Sequence, residues 1–190
     1  MKTLKKVHTG IFRDGGAGAF SKRRFRDRRK KLMSKEGQLI AVTGVPYGPG
    51  GKTTWSYAHS PTYQEPAMMH LTGINQNNVI LLLDPNSKVS DEILFVDSKD
   101  RVMEFWEGVR FGVGDEQSLK EVRSVTGIQD VRDIREFKDV LKERFKKQKK
   151  KTLGTLWLEG IQRGKAVSIK TDHNFDFKKK LEGWLRSWKA

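Results

Sequence analysis

At 190 residues the chain has room for one ordinary domain with a buried core. An apolar fraction of 36% beside a charged fraction of 32% fits a globular domain whose charges ride on helix faces, and the lack of cysteine excludes disulfides and thiolate metal sites. A net charge of +15 attracts nucleic acid, anionic membrane or an acidic partner, although a solvated basic surface is the plainer reading. The longest apolar run, Val79 to Leu83, is too short for a membrane helix, so no membrane partner is expected. The basic N-terminus leads into the glycine-rich segment Gly10 to Ala19 without an apolar stretch, which argues against a secretory signal and makes the cytoplasm the expected compartment.

Residues 1–19 read as a flexible arm, and residues 20–190 as the folded domain. From Phe20 to Met33 the spacing predicts a helix with Ser21 as N-cap and Gly37 as stop. Its apolar stripe is thin, and the helix is expected on the surface with its charges in water. Gln38 to Thr43 predicts a buried strand, followed by an irregular stretch from Gly44 to Pro66. Asn78 to Asp84 and Glu92 to Asp97 predict two strands joined by the turn at Pro85 to Lys88. Ser98 to Trp106 has helical spacing that breaks at Gly108, and Glu116 to Val125 predicts a short helix ended by Gly127. Asp130 or Asp133 then caps a helix carrying Ile134, Phe137, Leu141 and Phe145 inward. Two more strands are expected at Leu153 to Leu158 and Ala166 to Lys170. A closing helix follows, with Phe177, Leu181, Trp184, Leu185 and Trp188 on one face. The sum is an α/β fold, a mixed β-sheet flanked by helices.

Sites of chemistry are scarce. Gly44 to Thr53 ends in Gly-Lys-Thr, but a phosphate-binding loop needs glycine where Pro46 stands, and proline has no N–H to offer. The histidines His8, His59, His70 and His173 show no metal-ligand spacing, and His70 is expected to be half-buried and structural. No nucleophile elbow and no paired carboxylates stand out, so the residues assign no catalytic group. Trp157, Trp184 and Trp188 fall where a core would take them. The run Lys22 to Lys31 keeps open a stand-alone basic module that binds nucleic acid or another anionic partner.

Residues 20–160 resemble the N-terminal domain of the aminopeptidase P, prolidase and creatinase family. The resemblance rests on the arginine-rich opening helix, on Leu71-Thr72-Gly73, on the strands Asn78 to Leu83 and Ile93 to Val96, and on Trp106-Glu107-Gly108-Val109-Arg110-Phe111-Gly112. That last segment matches the family's Trp-x-Gly-x-Arg-x-Gly turn. The resemblance implies a non-catalytic domain that packs on a C-terminal catalytic domain, forms homo-oligomer contacts and walls a cleft for proline-containing peptides. It implies two divalent metals, manganese in many relatives, held by that catalytic domain and by no residue here. His59, Tyr63, His70 and Arg110 are the residues it places beside the cleft, with Trp106, Gly108, Arg110 and Gly112 forming the turn. The sequence departs from the family at Tyr63, where relatives carry an arginine, and at Pro66, where they carry a serine.

Overall fold

The computed structural model describes residues 21–44, 66–76, 78–107, 110–149, 152–156 and 175–189. The predicted strand at 166–170, Trp157, His8, His173 and the glycine-rich segment past Gly44 lie outside the described residues.

Five strands form one mixed sheet: β1 (Leu39–Thr43), β2 (Ile80–Leu83), β3 (Glu92–Val96), β4 (Asp130–Asp133) and β5 (Leu153–Leu156), in the order β4-β3-β2-β1-β5. The three central strands run antiparallel, with Ile40 opposite Leu83 and Ile80 opposite Phe95, while β4 and β5 join the edges in parallel. β1, β2 and β3 are near-continuous apolar runs because both faces of the sheet are covered. Alternation sorts the side chains: Ile40, Val42, Leu81, Leu83, Leu94 and Val96 face one core. Leu39, Ala41, Ile80, Leu82, Ile93 and Phe95 face the other.

Over the first face lie α1 (Lys22–Glu36), α2 (Pro66–Thr72) and, beyond α3 (Arg101–Glu107) in sequence, α4 (Glu116–Thr126). Over the second lie α5 (Phe137–Lys147) and α6 (Phe175–Lys189). α2 was not anticipated; it starts on Pro66, whose fixed φ and missing N–H suit a first helical position. α1 ends as expected at Gly37, which turns left-handed at φ 62° and donates its N–H to the Met33 carbonyl, but Ser21 makes no side-chain cap. On the second face Phe137 meets Phe95 edge-to-face at 5.3 Å. In α6 Leu181 is buried, and Trp184 and Trp188 stack on each other at the rim of the core rather than deep within it.

Two expectations need correction. Arg29 of α1 does not lie in water: it is 0% exposed and faces inward between Phe25 and Met33. The segment after Gly127 does not pass directly into a helix, because Asp130–Asp133 first pairs with β3 as an edge strand. Of the two proposed caps Asp133 takes the role, accepting the Arg135 backbone N–H at 2.9 Å ahead of the 3-10 turn Ile134–Glu136. The Asp133 carboxylate also accepts from the Arg135 guanidinium at 2.7 and 2.8 Å and from the Ser98 hydroxyl at 2.6 Å. These donors, the Arg135 side chain foremost, hold its pKa well below the usual carboxylate range despite partial burial. A depressed carboxylate stabilises the fold above its unfolded pKa, about 4, and loses that contribution as pH falls toward the folded value. Urea midpoints measured from neutral pH to about pH 3 should therefore fall less steeply for Asp133→Asn than for the parent chain. Parallel acid limbs would remove Asp133 from the account.

No helix among the described residues is long and apolar enough to cross a membrane.

Candidate functional site

The strand β3 ends at Val96, and the chain then makes a strap around α3 that returns at Arg110 to Val113. Its two ends are zipped together. The Lys99 N–H donates to the Val113 carbonyl and the Val113 N–H to the Asp97 carbonyl, both at 2.9 Å, with Ser98 and Val113 bridged in parallel. Gly112 sits inside this zipper. A Cβ there would stand 2.7 Å from the Lys99 nitrogen and 2.8 Å from its Cα, backbone atoms with no rotamer by which to yield. Close approach of two backbone segments is the physical reason for the last glycine of the Trp-x-Gly-x-Arg-x-Gly turn.

Side chains from four places fix the rest of the strap. Gln76 embraces the Phe111 backbone, donating from Nε2 to its carbonyl at 2.9 Å and accepting its N–H on Oε1 at 2.7 Å. The Ser118 hydroxyl, on the first turn of α4, accepts the Gly112 N–H at 2.9 Å. Asp115 caps that same turn through the Ser118 N–H at 2.7 Å. Glu104 of α3 accepts the Arg110 N–H at 2.8 Å, and Lys99 both pairs with Glu104 and donates to the Arg110 carbonyl at 2.6 Å. Asn78 donates to the Asp97 carboxylate at 2.6 Å. The Lys99–Glu104 pair thus grips the Arg110 backbone from both sides. Gln76→Ala would strip two hydrogen bonds from Phe111, both buried, at about 1 kcal/mol each. A chemical-denaturation loss near 2 kcal/mol is expected, and an unchanged midpoint would mean the strap holds without Gln76.

The other anticipated residues fall as follows. His70 lies in the last turn of α2 and is exposed, not half-buried, because α2 turns it away from the core that Met68 and Leu71 enter. Its carbonyl accepts from Arg28 at 2.9 Å, and its pKa is lowered, first by partial desolvation and then by the Arg28 charge. Trp106 is in α3, but its side chain lies outside the described ones. His59, Tyr63 and Gly108 lie outside the described residues altogether. The structure joins the two motif segments through a residue not singled out from the sequence: Gln76, three positions past the Leu-Thr-Gly stop, reaches Phe111 across 35 residues. The adjacent amides Asn75 and Gln76 between a helix stop and a strand were the available signal.

Chemically the strap is a scaffold. Among the described residues no three His, Asp or Glu side chains stand close enough to share a metal ion. A two-metal centre does not fit these residues, and no catalytic step is assigned to them. The strap also turns two large apolar side chains outward: Val102 and Phe105 of α3 are 71% and 79% exposed. Their helical spacing was legible in the sequence, but it marks an outer surface and not a core stripe.

The family profile described as "Aminopeptidase P, N-terminal domain" matches residues 25–153. Among solved structures, aminopeptidase PepP of Pseudomonas aeruginosa is 18% identical with a TM-score of 0.59, and the match covers 86% of this chain and 31% of that one. A protein assigned as an aminopeptidase P from Bacillus anthracis is 20% identical with a TM-score of 0.63, covering 86% and 36%. Escherichia coli aminopeptidase P, solved with the inhibitor Pro-Leu, is 19% identical with a TM-score of 0.51, covering 66% and 27%. The matched region is thus about a third or less of the length of these structures. No sequence among curated proteins matches the chain.

Proposed function

Because the chain belongs to the aminopeptidase P N-terminal domain family, we propose that it is the non-catalytic domain of a metal-dependent enzyme that removes residues preceding proline, an Xaa-Pro aminopeptidase or prolidase. The observation that carries this reading is the rigid strap with its outward apolar pair. Val102 and Phe105 are left exposed, beside a backbone that Gln76, Ser118 and the Lys99–Glu104 pair keep from yielding, and a covering second domain would account for that exposure. Exposed apolar side chains that belong to a contiguous patch favour contact with a partner surface. In this role the domain packs on the catalytic half, contributes oligomer contacts and walls the peptide cleft, with Arg110, His70, His59 and Tyr63 toward the cleft. The two divalent metals, manganese among the candidates, belong to the catalytic half, where they would activate the water that attacks the bond before proline.

The test is the intact mass of the native gene product in its source cells, followed by its assay on peptides with proline in the second position. A species well above 21.8 kDa that cleaves before proline only with added divalent metal is the expected result. A native product of 21.8 kDa without such activity in its complexes would overturn the reading.

A further inference from the structure

α1 divides its residues sharply between two sides. Phe25, Arg29 and Met33, at four-residue steps, are buried. Lys22, Arg23, Arg26, Lys30, Lys31 and Lys35 are all exposed. The helix holds two acids, Asp27 and Glu36. Asp27 lies 3.9 Å from Arg23 with both side chains largely in water, a pairing worth little. Lys22, Arg26 and Lys30 recur every fourth residue, a row of cations spaced about 6 Å apart at 1.5 Å rise per residue. α5 is also rich in lysine, but its charge is diluted: Lys147 pairs with Glu143, Lys138 lies 5.2 Å over the Trp184 ring, and Asp139 is exposed between them.

We propose that the outward face of α1 is a binding surface for the phosphate backbone of nucleic acid. A surface helix that enters a lipid interface needs apolar side chains on its outward face. α1 turns Phe25 and Met33 inward and packs Leu32 partly against the core, so it offers a membrane charge without insertion. Phosphate suits it better, since Arg23 and Arg26 can fork onto phosphate oxygens while the lysines neutralise neighbouring charges. The face is also pre-ordered. Arg28 and Arg29 tie α1 to the carbonyls of His70 and Leu71, so binding need immobilise only the cationic side chains. Contact through backbone phosphates alone carries no base sequence preference. This surface shares no residue with the α3 strap, and its success or failure leaves the peptidase-domain reading untouched.

The experiment is fluorescence anisotropy of a labelled duplex of about 20 base pairs titrated with the whole chain, from about 50 to 300 mM NaCl. Two triple variants remove the same net charge from different faces. One is Arg26→Gln with Lys30→Gln and Lys31→Gln on α1; the other is Lys142→Gln with Lys179→Gln and Lys180→Gln on α5 and α6. All six positions are exposed, and circular dichroism checks that each variant folds. The α1 triple is expected to weaken binding at least about tenfold at low salt and to reduce the salt slope by about 2.7, three contacts at 0.9 each. The other triple should change affinity less than about threefold, since it alters only the long-range field. Equal losses from both triples would show a diffuse field and overturn the site. So would absence of binding at the lowest salt, and so would equal affinity for polyglutamate or for vesicles of anionic lipid, which would reassign the face to an acidic protein or a membrane.

Discussion

Replacing Arg29 with methionine is expected to cost about 3–5 kcal/mol of folding free energy, the range for removing one partner of a buried ion pair. Arg29 is 0% exposed; its Nη2 donates to Glu92 Oε2 at 2.9 Å and its Nη1 to the Leu71 carbonyl at 2.8 Å. One guanidinium therefore ties three elements: the middle of α1, the end of α2 and the start of β3. Methionine would fill much of the space but leave the Glu92 carboxylate buried without its cation and the Leu71 carbonyl without its donor. Against a total of about 5–15 kcal/mol for an ordinary domain, that loss brings the chain near unfolding. Adding Glu92→Leu to Arg29→Met removes both charges, and such exchanges are often close to neutral. The double variant should then regain most of the loss, short of about 1–3 kcal/mol for the orphaned carbonyl. Urea unfolding followed by tryptophan fluorescence reads both. A cost below about 1 kcal/mol for Arg29→Met alone would mean that the pair contributes no more than an exposed one.

The same arginine shows where reading the sequence stops. The helix was legible from its caps and spacing, yet its inward face was not, because the four-residue step Phe25, Arg29, Met33 places a charge in the middle of the buried stripe. Periodicity counts arginine as a surface residue, and only its partners Glu92 and Leu71, 63 and 42 positions away, reverse that. β1, β2 and β3 were legible because a strand covered on both faces must be apolar at every position. β4 was hidden for the complementary reason: Asp-Val-Arg-Asp is a half-buried edge strand whose Asp130 and Arg132 pair with each other along the strand at 2.8 Å. At the strap the motif glycine was visible, but its reason, the Lys99 backbone at 2.7 Å, exists only once the chain has closed on itself. Gln76 left only the Asn75–Gln76 amide pair as a local trace, and nothing in it names Phe111, 35 residues away, as the partner. His70 was placed half-buried by the apolar residues around it, and α2, a helix the sequence did not announce, rotates it outward.

The glycine of Leu71-Thr72-Gly73 offers a second large effect, and one whose two causes can be separated. Gly37 and Gly73 both end a helix in the left-handed conformation, at φ 62° and 76°, and each donates its N–H to the carbonyl four residues earlier. Alanine in that conformation costs about 1 kcal/mol at either position. At Gly37 a Cβ meets nothing within 4 Å, so Gly37→Ala should cost that much and no more. At Gly73 a Cβ would lie 2.5 Å from Cζ and 2.7 Å from Cε2 of Phe25, a ring 2% exposed between α1 and α2. Overpacking of that kind adds about 1–3 kcal/mol, which puts Gly73→Ala at about 2–4 kcal/mol. Phe25→Leu, which withdraws the clashing atoms, will be destabilising in its own right, but Gly73→Ala made in that background should cost little more than Gly37→Ala. Equal costs for the two glycines, or strict additivity with Phe25→Leu, would show that the ring gives way freely. Non-additivity would show that Gly73 is required by the seating of α1 on α2, the contact that also brings Arg28 and Arg29 onto the carbonyls of His70 and Leu71.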